Sequence, residues 1–349
     1  MYSEEEAKEE ISEEEAARVV EGAILKRTST KPSFSIWLFP PKKDIISRKI
    51  KRQGFYEAEE MEFTDLVVAA IQQSTTQQRN AWAVDIGANI GFHTLHMAAN
   101  GMNVVAFEPA IDTASLLQKS IEANAFDGQF RPKVHLVRAA AGESNGMGRL
   151  VRHPKSPGMT MLLPYNDNNN RDREPLPFGV EAVVGDNIKI VRPEEVLEGI
   201  LQTTTSSSQN NDSSIENNKR KLALLKVDAE GHELHALQGT NLVRFPFDFL
   251  AFEFFPELLQ KAGGTDPLDL LLYVVSFGYD CATHPSSLLP KVLPEHMNTT
   301  ATNNQKNNNT NQGILMETED NFRDWYEGHA VPSYKKNVGY HQNLYCRRR

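Results

Sequence analysis

The chain has 349 residues, 40% of them hydrophobic, enough for one large α/β domain or two small ones with a substantial core. Its net charge of −9 excludes a nucleic-acid backbone as the main partner, because phosphate binding takes clustered Lys and Arg. No apolar run approaches the ~18 residues of a membrane helix, and the acidic N-terminus lacks the basic-then-apolar order of a secretory leader; the expectation is a cytoplasmic chain without a membrane span.

In chain order, residues 1–22 hold nine Glu against Lys8 and Arg18 and read as a solvated helix or disordered tail outside the fold. Residues 23–80 form a lead-in segment with a helix. Its basic cluster, Lys42, Lys43, Arg48, Lys49, Lys51 and Arg52, reads as a solvated helix face. From residue 81 to 349 short apolar runs alternate with helical stretches, the pattern of a doubly wound sheet. Strands are expected at 81–86, 103–108, 134–139, 222–228, 249–254, 279–283 and 343–347, with helices at 92–99, 113–125, 230–239 and 267–277. The polar tracts 203–218 and 298–312 read as surface-loop insertions, and 147–186 shows no clear pattern. Two cysteines, Cys281 and Cys346, cannot frame a domain of this size and are expected as reduced thiols.

The first strand ends in Asp85, and the turn Gly87-Ala88-Asn89-Ile90-Gly91 leads directly into a helix, so backbone amides are expected to face a ligand at the helix N-terminus. Glu108 follows Gly87 by 21 residues, at the end of the second strand, where a carboxylate accepts hydrogen bonds from ribose hydroxyls. Together they point to a nucleoside. A dinucleotide would need three glycines to cradle its pyrophosphate. Here one is missing and an acid precedes the turn, which repels a pyrophosphate but suits a cationic amino-acid moiety. S-adenosylmethionine is therefore the expected cofactor.

Five blocks extend this reading: Val84-Asp-Ile-Gly-Ala-Asn-Ile-Gly-Phe-His-Thr-Leu95, Val105-Ala-Phe-Glu-Pro109, the Asn124 region, Val137-Arg-Ala-Ala-Ala-Gly-Glu143, and Leu224-Leu-Lys-Val-Asp-Ala-Glu-Gly-His-Glu-Leu234. With the upstream Gly54-Phe-Tyr-Glu57, the chain resembles an FkbM-family methyltransferase over roughly residues 50–280. The resemblance implies an α/β class I methyltransferase fold, Rossmann-like. That fold is a seven-stranded sheet in the order 3-2-1-4-5-7-6, the last strand antiparallel, with helices on both faces. It also implies S-adenosylmethionine as donor and O-methylation as the typical reaction. Carried over by residue, Asp85, Gly87, Ala88, Asn89 and Gly91 frame the methionine part, Glu108 the ribose, and Ala140, in the small turn from Ala139 to Gly142, lies near the adenine.

Asp228-Ala-Glu-Gly-His-Glu233 closes the fourth strand, beside the first, where ligands bind in open α/β sheets. Asp228, Glu230 or His232 is the candidate base for the acceptor's proton. Asp228 is expected to be the most enclosed, and Glu230 alternatively caps the following helix. Oxygen ligands from Asp228, Glu230 and Glu253 are conceivable for a divalent ion, and the pairs His93/His96 and His232/His235 share a helical spacing. No metal is assigned, because neither set has a third nitrogen or sulfur ligand at fixed spacing. Phe252 and Phe254 read as sheet core or acceptor wall, and Trp325, Tyr326, Tyr334 and Tyr340 as lid or loop packing. The expected function is methyl transfer to a hydroxyl of a sugar or other small metabolite. The alternatives are an NAD-dependent oxidoreductase and a catalytically silent S-adenosylmethionine-binding module.

Overall fold

The computed structural model describes residues 21–73, 80–126, 132–153, 156–164, 183–206, 220–288, 313–336 and 340–349. Most of the acidic tail, much of the tract 203–218 and all of 298–312 lie outside them. The lead-in opens with an antiparallel hairpin of β1 (Ile24–Arg27) and β2 (Ser35–Leu38). Next comes α1 (Ile45–Gln53), started by Asp44, whose carboxylate accepts the Ser47 N–H at 2.6 Å, and stopped by Gly54 at φ 81. The six basic side chains of the 42–52 cluster are all exposed, as a solvated face requires. The segment ends in α2 (Ala58–Gln73), which packs Phe63, Leu66, Val67 and Ile71 inward.

The central sheet is built on β3 (Ala81–Ile86), β4 (Asn103–Phe107) and β5 (Val134–Val137), with β10 (Lys221–Val227), β11 (Phe249–Phe254), β12 (Tyr279–Ala282), β13 (Leu315–Met316) and β14 (Gln342–Arg348). Its order is β13-β12-β14-β11-β10-β3-β4-β5. The pairs from β5 to β11 are parallel, while β14 runs antiparallel between β11 and β12. Eight strands stand where seven were expected, because β13 adds two residues to the outer edge of β12. A two-residue strand has no periodicity to read.

Both faces of this sheet are covered, so its inner strands are apolar without alternation. All six residues of β3 are buried. Trp82, Val84 and Ile86 pack with Leu197 and Ile200 of α5 (Pro193–Ser206), Leu234 and Leu237 of α6 (Glu233–Thr240), and Leu270 and Val274 of α8 (Pro267–Ser276). Ala81 and Ala83 face the other way. There they join Phe34, Ile36 and Leu38 of the lead-in, Phe63 of α2, Leu95 of α3 (Phe92–Ala99) and Leu116 of α4 (Ile111–Asn124). The lead-in therefore shares the core of the sheet. The short α7 (Pro256–Lys261) follows β11. Phe252 and Phe254 are 2% and 0% exposed and belong to the core, with Trp325 of α9 (Glu319–Trp325) edge-on to Phe254 at 5.4 Å.

The region 147–186, patternless in the sequence, contributes β7 (Gly146–His153), β8 (Ser156–Pro164) and the start of β9 (Val183–Val191). With β6 (Ala140–Ala141) they make a second sheet in the order β6-β9-β7-β8. The strand register shifts within both the β7–β8 and β7–β9 pairs, which breaks the period-two signal that would have exposed them.

Reduced thiols were expected, and that is corrected. Cys281 on β12 faces Cys346 on β14 directly across the ladder, and the two form a disulfide with both residues 0% exposed. Their separation of 65 residues hides in the sequence a contact that strand pairing creates. Closing a loop of that length constrains the unfolded chain by ~4 kcal/mol. Cys281→Ala should therefore lower the denaturant midpoint substantially, and the unfolded, unreduced wild type should present no titratable thiol. Two thiols found in that titration would refute the bond.

Candidate active site

The cleft opens at the carboxyl ends of β3, β4 and β10, with about 660 Å³ of empty space. Gly87, Asn89 and Glu108 line one side, Ala139, Ala140, Ala141, Leu150 and Leu162 another, and Asp228, Ala229, Glu230 and His232 the third. The expected donor and acceptor residues thus meet in one space, apart from Asp85, Ala88 and Gly91.

Those three stand beneath the cleft. Asp85 is 0% exposed; its Oδ2 accepts the Thr94 hydroxyl at 2.6 Å, and its Oδ1 lies 3.8 Å from the Lys226 ammonium. The N–H groups of Gly87 and Ala88 donate to the Phe107 carbonyl at 3.0 Å, so they tie β3 to β4 instead of facing a ligand as expected. Gly91, at φ 88, lets α3 approach α4, since a Cβ there would lie 2.1 Å from Leu117 Cδ1. Gly87, at φ 79, has the same function between strands: its Cβ would fall 1.7 Å from the Asp228 carbonyl oxygen. Both glycines serve close approach of backbone or side chains to each other.

Glu108 is 6% exposed and accepts three hydrogen bonds: Asn89 N–H at 2.7 Å on Oε2, and Ala110 N–H at 2.9 Å with Thr113 O–H at 2.7 Å on Oε1. Burial raises its pKa, and these donors partly offset the rise. Each oxygen has two lone pairs, so the carboxylate keeps acceptor capacity toward the cleft.

The opposite side departs from expectation in two places. The helix after β10 starts at Glu233, not at Glu230, and Glu233 Oε1 accepts the Ala229 and Gly231 N–H groups at 3.0 Å each. Glu230, at φ 50, is free of the capping task and lies in the cleft lining. Asp228 is not the most enclosed: its side chain is 32% exposed, with Oδ2 3.3 Å from Lys226 Nζ, whereas His232 is 6% exposed. Burial, reinforced by the charge of Asp228, pushes Glu230 well above the carboxylate range, and Glu253 is driven the same way. His232 donates Nε2–H to the Leu162 carbonyl at 2.8 Å, which leaves Nδ1 as the ring's proton acceptor. Burial lowers its pKa to about 4. The two His pairs have separate partners: His93 meets Glu57 and Glu60, His96 meets Asp65, and His235 donates to the Gly263 carbonyl.

Sequence reasoning assigned no role to Lys226 or to the lead-in carboxylates. Lys226 is 4% exposed, and its ammonium lies within 4.0 Å of Glu60, 3.8 Å of Asp85 and 3.3 Å of Asp228. Burial disfavours its charge, yet these carboxylates raise its pKa well above the ordinary value. A Lys two residues before Asp228 on a buried strand was the available signal, since an unpaired ammonium does not survive there.

The description "Methyltransferase FkbM domain" matches residues 85–281. The chain belongs to the FkbM methyltransferase family. Curated relatives include methyltransferase sdnD of Sordaria araneosa, 28% identical over 168 residues (46% of this chain, 61% of that one). Methyltransferase 1 of Beauveria bassiana is 26% identical over 164 residues (46% and 59%). The chain spans about three fifths of the length of these relatives. Among solved structures, magnesium protoporphyrin IX methyltransferase of Synechocystis PCC 6803 is 10% identical at a TM-score of 0.34, covering 88% of each chain. A SAM-dependent methyltransferase of Agrobacterium tumefaciens is 8% identical at 0.32, covering 68% of this chain and 57% of that one. Family membership sets the nicotinamide reading aside.

S-adenosylmethionine is the cofactor of this family, and the cleft's chemistry fits it. Glu108 Oε2 keeps one acceptor lone pair for a ribose hydroxyl. Phe107, Ala140, Leu150 and Leu162 form apolar walls for an adenine.

Two outcomes follow for this site. Gly87→Ala should cost ~2 kcal/mol or more from its left-handed backbone and the clash with Asp228, and should abolish cofactor binding in calorimetry; wild-type affinity would refute the close approach. For His232, folding lowers the pKa from 6.5 to about 4, so the unfolded chain binds the extra proton in that window. The stability it contributes is complete above ~6.5 and is lost as pH falls toward 4. The unfolding midpoint should therefore drop less between about pH 7.5 and 5 in His232→Gln than in wild type, and equal drops would contradict a buried neutral imidazole.

Proposed function

We propose that the protein transfers the methyl group of S-adenosylmethionine to a hydroxyl oxygen of a small metabolite, with sugars as the leading acceptor class. We read 81–349 as a class I methyltransferase domain whose sheet gains one edge strand. The observation that carries the reading is the convergence, in one cleft, of a hydrogen-bonded acid ending β4 and a carboxylate pair after β10.

When bound, S-adenosylmethionine supplies an electrophilic methyl group on a positively charged sulfur. Glu108 would hold the ribose, and the turn at Asn89 would bound the amino-acid end. On the acceptor side, the hydroxyl proton must leave as its oxygen takes the methyl group. Asp228, paired with Lys226, is the group we assign as base, and alignment of the acceptor oxygen is its second task. Burial and the charge of Asp228 push Glu230 toward its protonated form, which can donate a hydrogen bond to the acceptor. His232 orients through Nδ1, because a pKa of about 4 makes it a weak base.

The disulfide favours a compartment that keeps thiols oxidised over the cytoplasmic one read from the sequence. No helix among the described residues is long and apolar enough to cross a membrane.

The test pairs binding with turnover. Calorimetry should give the same S-adenosylmethionine affinity, within about threefold, for wild type and Asp228→Asn, while transfer of labelled methyl into a metabolite extract falls by ~100-fold or more in the variant. Binding of NAD without S-adenosylmethionine, or undiminished transfer in Asp228→Asn, would overturn the assignment.

A further inference from the structure

Three side chains of the lead-in and α3 form a cluster that methyl transfer does not use. Glu57 stands just before α2, Glu60 in its first turn, and His93 in the first turn of α3. His93 Nε2 lies 2.8 Å from Glu57 Oε2 and 3.0 Å from Glu60 Oε2, and one ligand atom from each residue falls within 4.8 Å of the others. Two carboxylates and an imidazole suit a first-row divalent ion. Neighbouring ligands of an octahedral ion with bonds of about 2.1 Å stand about 3 Å apart, and the two separations match that edge.

A protonated imidazole bridging two acids would also bring these atoms together, so the remaining partners decide. Glu57 Oε2 shares a hydrogen bond with Nε2, but Glu60 Oε2 has none, although the residue is 8% exposed and the oxygen points into the cluster. The other Glu60 oxygen accepts the Asn343 amide at 2.7 Å, and Lys226 Nζ is 4.0 Å from Oε2, beyond hydrogen-bond reach. Charge points the same way. Four carboxylates, of Glu57, Glu60, Asp85 and Asp228, surround the two basic side chains Lys226 and His93, so acids outnumber bases there. A divalent cation offsets that surplus of acids and favours the ionised form of Glu60, whose pKa burial raises to about 7. The Glu57 side chain, 32% exposed, provides an entry from solvent.

We propose that Glu57, Glu60 and His93 bind a divalent transition-metal ion, of the Mn²⁺ or Zn²⁺ class, beside Lys226. Three protein ligands leave an octahedral ion positions for water or for hydroxyl oxygens. The site differs from the oxygen set of Asp228, Glu230 and Glu253 by having a nitrogen ligand and by drawing two of its three ligands from the lead-in.

The full chain, stripped with a chelator and desalted, would be titrated with Mn²⁺ under electron paramagnetic resonance and with Zn²⁺ by calorimetry, with no methyl donor or acceptor present. One ion per chain is expected, with affinity about tenfold weaker or worse in Glu57→Gln and in His93→Gln and unchanged in Glu230→Gln and Glu253→Gln. Melting curves run in parallel check each fold. Glu57 lies at the exposed edge, so its variant decides the matter if His93→Gln does not fold. No binding at millimolar metal, equal affinity in Glu57→Gln, or loss in the Glu230 or Glu253 variants would overturn the site. Since nothing is methylated in this experiment, its result stands apart from that of the methyl-transfer test.

Discussion

The Lys226 ammonium lies beneath the cleft, 3.3 Å from Asp228, 3.8 Å from Asp85 and 4.0 Å from Glu60, and much of the local architecture follows from keeping these charges together. A buried ammonium is tolerated only with carboxylates beside it, and removing one partner of a buried pair typically costs ~3–5 kcal/mol. Each partner comes from a different element. Asp85 ends the strand that leads into the glycine turn, Asp228 follows the neighbouring strand, and Glu60 arrives on the lead-in helix. The ion cluster therefore fixes the donor side, the acceptor side and the N-terminal cover of the site against one another.

Around that cluster the backbone is packed without room for side chains. Gly87 touches the Asp228 carbonyl across the gap between β3 and β10, and Gly91 makes way for Leu117. Asp85, which a motif reading assigns to the cofactor, is enclosed under the turn and acts through Thr94 and Lys226. Its influence on a ligand is one of position and of field. The polar groups that line the cleft come from Glu108, Asn89 and the Asp228–His232 segment.

The second sheet supplies what the central one cannot. Doubly wound sheets leave the carboxyl ends of their strands open to water, and here β7 and β8 contribute Leu150, Thr160 and Leu162 to the cleft. The Leu162 carbonyl also accepts the His232 Nε2–H hydrogen bond and so selects its tautomer. A strand with no periodic signature thereby determines which nitrogen of the cleft's imidazole can accept.

The central strands were readable because each is a run of buried apolar residues between glycine or polar turns, and that pattern persists whatever packs above it. Glu108 and Asp228 were readable for a related reason, since an acid at the end of such a run has few places to go except the open edge of the sheet. Features that depend on residues far apart in sequence were not. The Cys281–Cys346 bond needs β14 to insert between β11 and β12, and the eighth strand is too short to repeat. The helix start at Glu233 depends on the left-handed turn at Glu230 and Gly231. By itself, then, the sequence determined the inner strands of the sheet, the family and the two ends of the cleft, because these rest on local burial and on spacing along single segments. The tertiary structure alone decided which acids are enclosed, which are paired and which stay charged. Those states depend on the low-dielectric surroundings and on partners contributed by separate elements, the lead-in helix above all.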